Sequence, residues 1–205
     1  MKIDRTEVLY PRVRMDALTD GIYAVAMTLL ILDVRLPEDF HPVNDGQLLQ
    51  GLFDLSSRLF PYLLSFGVLG LRWLAGLQVR SRAERVGGPY VRWWVLHLLL
   101  ITCVPFTTIV VGRYALFAPA AWLYAGNTAL ISVASWYQLK YLPEVENDHY
   151  RQSRQASHLL LFASAVLCIV WSFFSPQHAL WAFMLNLAGP ALRYRRQAAG
   201  APSSG

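Results

Sequence analysis

Charge is scarce in this chain. Only 15% of its 205 residues are Asp, Glu, Lys or Arg, against 55% from the apolar set, and the mean hydropathy is +0.35. Soluble domains carry about a quarter charged residues, so the composition excludes an ordinary water-solvated globule and makes lipid the solvent for most of the surface. Cysteine is nearly absent as well. Cys103 and Cys168 both sit inside apolar runs, where a thiol behaves as a small hydrophobe rather than as half of a disulfide or a metal ligand. Neither Gly-x-Ser-x-Gly nor His-Glu-x-x-His occurs, and no helix face gathers carboxylates, so an enzyme is not expected and no cofactor or resident metal is implied. A cleavable signal pattern is missing too, because the first sixteen residues stay charged up to the first long apolar run.

Long apolar segments are plentiful. A spanning helix needs roughly 20 mostly apolar residues to cross a hydrocarbon core about 30 Å thick. Six segments qualify: about 17–36, 55–79, 92–112, 120–141, 158–174 and 178–194. The last two are short and joined only by Ser175, Pro176 and Gln177, so a re-entrant hairpin is the alternative for that pair. The expectation is an all-α, polytopic membrane protein forming one domain over residues 1–205, with a tail at 198–205 too small and polar to order itself.

The 18 Lys and Arg residues divide unequally between the two sides of such a bundle. Fourteen of them fall on one side: Lys2, Arg5, Arg12, Arg14, Arg80, Arg82, Arg85, Arg92, Lys140, Arg151, Arg154, Arg193, Arg195 and Arg196. By the positive-inside rule that side is the cytoplasm and holds both termini. The net charge of +5 then belongs to the inner loops, and nucleic acid is not an expected partner. The outer loop from Pro37 to Asp54 reads as a solvated, mildly acidic connection.

The first segment carries the most information. Arg14 and Asp20 lie at the cytoplasmic edge of an otherwise apolar helix. A charge buried in a span is expensive, so Asp20 needs a partner on another helix or another subunit. Val25, Leu29 and Leu32 recur at i, i+4 and i+7 and form one stripe, which by periodicity alone is a packing face. Thr28 lies beside it, and its hydroxyl has two uses open to it: facing a neighbour or bonding back to the Ala24 carbonyl.

The run Arg14-x-x-x-Leu18-Thr19-Asp20-Gly21, continued by Ile22-Tyr23-Ala24-Val25-Ala26-Met27-Thr28-Leu29-Leu30, resembles the Arg-x-x-x-Phe-Ser-Asp signature of the transmembrane protein 175 family, bacterial relatives of the lysosomal potassium channel. Trp73, His97, Pro105, Phe106 and Thr108 extend the similarity. Phe-Ser of the signature is Leu18-Thr19 here, and the His expected shortly after Trp73 is replaced, with Gly76 in its place. The resemblance implies a homotetramer in a bacterial inner membrane, with the first helix of each subunit lining a central pore for potassium. It implies an apolar constriction at Val25, with Leu29 and Leu32 as further rings, and hydroxyl oxygens from Thr28 that help select the ion. Arg14, Leu18, Thr19 and Asp20 would fasten the base of the pore helix, with Trp73, His97 and Asn127 as network partners.

Physical chemistry narrows this expectation. The sequence lacks Thr-Val-Gly-Tyr-Gly, the loop whose carbonyls replace the hydration shell of potassium, so selectivity has to arise without a carbonyl cage and should be modest. Asp33 is a candidate for gathering cations at the outer mouth, or for pairing with Arg35 or Arg58. The competing class is a proton-coupled transporter using Asp20 and His97. Against it, the stretch Ala24–Ile31 is unbroken, with only Thr28 polar, whereas transporter sites interrupt their helices near the midplane. Pro105 and Pro190 mark possible kinks.

Overall fold

The computed structural model of the protein describes residues 9–77, 83–143 and 148–186, and among these it is a bundle of helices with one two-residue ribbon. Helix α1 spans Arg12–Leu29 and tightens into a 3-10 turn at Leu30–Asp33. Then follow α2 (Asp45–Asp54), α3 (Ser56–Leu77), α4 (Gly88–Thr102), α5 (Val104–Arg113), α6 (Ala118–Tyr141), α7 (Asp148–Ser172) and a 3-10 segment at Pro176–Phe183. Strands β1 (Tyr10–Pro11) and β2 (Arg85–Val86) pair antiparallel, with Tyr10 opposite Val86. This ribbon ties the approach to α1 to the α3–α4 connection, so those two segments share one end of the bundle.

Local signals explain several boundaries. Asn44 caps α2, its side chain accepting from the Gln47 amide at 2.9 Å. Pro89 and Pro119 sit in the first turns of α4 and α6, where a missing N–H removes no helical bond. The third expected span is one apolar stretch, Gly88–Arg113, but it breaks at Cys103. Pro105 has no N–H to give to Ile101 and its ring crowds that carbonyl. One residue earlier, the Leu100 carbonyl is taken up by the Asn127 side chain of α6 at 3.1 Å.

Four described helical stretches are long and apolar enough to cross a membrane: Arg12–Asp33, Ser56–Leu77, Gly88–Arg113 and Arg154–Ser172. They correspond to the first, second, third and fifth expected spans. The fourth is α6, a 24-residue helix whose Asn127, Thr128, Ser132 and Ser135 are all buried. It lies at the centre, packed on α4, α5, α7 and the terminal 3-10 segment, so protein rather than lipid surrounds these polar groups. The sixth begins as the 3-10 segment, and residues 187–194 lie outside the described residues. So do Lys2, Arg5, Arg80, Arg82 and Arg193–Arg196, used above for orientation, and the tail at 198–205.

Two expectations are corrected. The outer connection contains a helix, α2, whose Leu49, Leu52 and Phe53 are exposed. The first helix ends at Asp33 rather than Leu36, because its last turn is 3-10.

The core divides in two. Tyr23, Ala26 and Leu30 of α1 pack with Leu69, Leu100, Ile101, Val104, Ile131 and Ala134. A second cluster joins Leu64 and Val68 of α3 to Val111, Tyr124, Ala125, Leu161, Ala165, Cys168 and Phe183. Cys168 is fully buried there, as expected of a small apolar side chain.

Candidate pore face and its polar anchor

The two faces of α1 differ sharply. Met15, Tyr23, Ala26 and Leu30 are buried, while Leu18, Val25, Leu29 and Leu32 are 51%, 57%, 42% and 63% exposed. Arg14 and Thr28 are exposed on the same side. Positions 18, 25, 29 and 32 follow helical spacing, so these residues form one uncovered stripe along the helix. The Thr28 hydroxyl donates to the Val25 carbonyl at 2.9 Å, a back-bond reaching three residues rather than four. With its proton directed at the backbone, the oxygen's lone pairs are left facing outward.

The inner face is held by polar contacts as well as packing. Thr19 donates to the Met15 carbonyl at 2.9 Å and accepts from the Trp94 indole at 2.9 Å. Asp20 accepts from the Trp73 indole at 2.9 Å. Tyr23 meets His97 Nε2 at 3.1 Å, and His97 Nδ1 lies 3.1 Å from the Ser135 hydroxyl. Of the expected network partners, Trp73 touches Asp20 directly and His97 reaches α1 through Tyr23. Asn127 does neither, because its amide is committed to the α4 break at Leu100. Arg14 is exposed and takes no part in this network within the subunit.

At the other end, Asp33 is buried within the subunit. With three residues per 3-10 turn it falls in line with Leu30, which is 1% exposed. Its carboxylate accepts from Arg113 Nε at 2.8 Å and Nη2 at 2.6 Å. Neither Arg35 nor Arg58 is its partner. Arg35 pairs with Glu38 at 3.6 Å, and Arg58 donates to the Arg35 carbonyl at 3.1 Å.

Sequence reasoning missed Tyr23, Trp94, Ser135 and Arg72, which meet around a polar cavity of about 260 Å3 between α1, α3, α4, α6 and α7. Arg72 was visible as a lone cation inside an apolar span. The others gave no signal, since aromatic and serine residues are common on helices. Gly76, in place of the expected His, also lines this cavity, and a Cβ built there meets nothing within 4 Å.

The α1 stripe is left uncovered within the subunit, open to lipid or to another copy of the chain. Comparison with known proteins points to channels. The family described as endosomal/lysosomal potassium channel TMEM175 matches residues 14–105. A potassium channel of Chamaesiphon minutus is 30% identical over 123 residues, covering 58% of this chain and 60% of that protein. A potassium channel of Streptomyces collinus is 32% identical over 121 residues, covering 59% and 57%. The human endosomal/lysosomal proton channel TMEM175 is 36% identical over 83 residues, covering 36% and 16%. The crystal structure of a lysosomal potassium-selective channel TMEM175 homolog from Chamaesiphon minutus superposes with a TM-score of 0.75 at 26% identity, covering 88% of this chain and 96% of that one. Over residues 14–105 the chain is similar to the TMEM175 family, and the relatives it matches are ion channels, not enzymes. It spans about 60% of the length of the curated bacterial relatives that it matches.

Proposed function

We propose that the protein is a membrane cation channel that favours potassium modestly, and that its pore is enclosed by the Val25, Thr28, Leu29 and Leu32 stripe of α1 from several copies of the chain. The observation carrying this reading is that stripe. Three large aliphatic side chains of the stripe, Val25, Leu29 and Leu32, are uncovered at helical spacing on a helix whose opposite face is buried and hydrogen-bonded. A tetramer would place four such stripes around one axis.

The physics follows from the side chains. Rings of Val25, Leu29 and Leu32 give an ion no ligands, so a narrow neck would dewet and close, and conduction requires widening until a largely hydrated ion passes. The outward lone pairs of Thr28 would replace some of that water. Potassium holds its water less tightly than sodium, so partial dehydration favours potassium without a carbonyl cage. The setting that fits is a bacterial inner membrane with both termini in the cytoplasm. The β1–β2 ribbon supports part of this topology, since it joins two arginine-bearing segments assigned to the same side.

A proton-coupled transporter is the second reading. It is favoured by one observation: Asp20 and His97 line the same cavity. Potassium, sodium and N-methyl-glucamine flux through liposomes separates the two. A channel passes potassium down its own gradient, and Val25→Asn or Leu29→Asn raises flux or erodes selectivity. Flux that requires a proton gradient and disappears with Asp20→Asn would establish the transporter instead.

A further inference from the structure

The 260 Å3 cavity contains an arginine without a counter-charge. Arg72 lies on α3 and lines the chamber. Its Nη2 donates to the Ser135 hydroxyl at 2.6 Å and lies 3.4 Å from His158 Nδ1, both neutral partners in this arrangement. Its Nε is buried and has no hydrogen-bond partner. No carboxylate among the described residues lies within ion-pair distance of it. The acidic groups of the chamber are used otherwise. Asp16 faces Arg12 at 3.5 Å, and Asp20 accepts from Trp73. A guanidinium is always protonated, and an uncompensated buried charge is among the least favourable arrangements in a protein. The space beside it exceeds what one water needs.

We propose that this cavity binds a small monovalent anion of the chloride class, held by Arg72. The anion completes what the chain leaves open. It supplies the missing charge to the guanidinium and an acceptor for the orphaned Nε. Asp16 and Asp20 line the same chamber and disfavour multivalent or bulky anions. Gly76 leaves room beside the chamber: a Cβ added there meets nothing within 4 Å. Since the walls come from α1, α3, α4, α6 and α7, the bound anion braces the packed face of α1 against the rest of the subunit.

The test is thermal unfolding of the full-length protein in detergent, titrating potassium chloride or bromide against potassium HEPES at constant potassium, together with anomalous scattering from bromide-soaked crystals. The expected result is a saturable rise in melting temperature with chloride or bromide, and a bromide peak beside Arg72. Arg72→Gln should abolish both. Should that variant fail to fold, Gly76→Leu, which fills the chamber and leaves Arg72 in place, is expected to melt normally in HEPES and to lose the chloride response. Equal melting in chloride and HEPES with no bromide peak would mean that water alone fills the cavity, and the proposal falls. A rise seen with inorganic phosphate but not with chloride would overturn the monovalent class. Neither readout depends on ion flux, so the site stands or falls separately from the channel reading.

Discussion

Helices α1 and α6 invert each other. α1 is strongly apolar, yet only 22% of its spanning window is buried within the subunit. α6 carries Asn127, Thr128, Ser132 and Ser135, yet all four are buried. Hydropathy ranks α1 as the better membrane helix, and packing makes α6 the better core. The difference separates what the single subunit completes from what it leaves for others. Around α6 these four buried polar side chains all find partners: Asn127 on Leu100, Thr128 on the Tyr124 carbonyl at 2.8 Å, Ser132 on the His158 carbonyl at 2.6 Å, Ser135 on Ile131 at 2.7 Å. Around α1 one face is finished in the same manner and the other is bare aliphatic surface. Lipid could cover that face. Similarity to TMEM175-family channels and the Thr28 oxygen at its centre favour the proposed pore.

The contrast can be broken from either side. The largest effect is expected on the bare face. On the proposed pore face, replacing Leu29 with Asn would put a hydrogen-bonding group in the place of an apolar one, and removing a dewetting barrier of only about 1.4 kcal/mol would raise flux roughly tenfold. Liposome flux reads this directly, and the melting temperature should hardly move, because no packed neighbour is disturbed. The reverse pattern is expected at Asp33→Asn. It leaves Arg113 without its carboxylate, costing roughly 1–3 kcal/mol once the partial exposure of Arg113 is allowed for. Thermal unfolding should report a drop of several degrees, while Arg35 and Arg58 substitutions leave stability near that of the parent. Asn127→Ala removes the side-chain donor to the Leu100 carbonyl at the α4–α5 break and leaves it only the shared Cys103 N–H at 3.2 Å, a loss of about 1 kcal/mol, and amide exchange should rise around Cys103. The smallest change is expected for Trp73→Phe, which removes only the indole donor to Asp20. On an exposed carboxylate that bond is worth about 1 kcal/mol, and the readout is a loosened cytoplasmic half of α1 in hydrogen exchange.

Much of this architecture was legible in the sequence. Length and hydropathy gave the four spans that the described helices support, and the i, i+4, i+7 spacing picked out the α1 stripe, although periodicity alone makes it a packing face and the subunit leaves it uncovered. The local signals were strong because each rests on a single helix. What the sequence hid depends on pairs that are distant along the chain. Asp33 and Arg113 are 80 residues apart, and Asp33 turns inward only because its last turn is 3-10 instead of α. Asn127 resembled a partner for the pore base, but the break before Pro105 created a nearer demand. The His97 network needed Tyr23 from α1 and Ser135 from α6 to meet at one point. Helix α2 escaped notice because ten residues capped by Asn44 make too short an apolar run to register as a span.

The central claim is that one face of α1 lines an ion path and the opposite face does not. Single cysteines at Val25, Thr28, Leu29 and Leu32, and at the buried Ala26 and Leu30, in a background with Cys103 and Cys168 replaced, would be challenged with silver ions during potassium flux. The account predicts rapid block at the first four positions and none at Ala26 or Leu30. Block that fails to follow this helical pattern, or flux that persists with all four outward cysteines silver-modified, would contradict it.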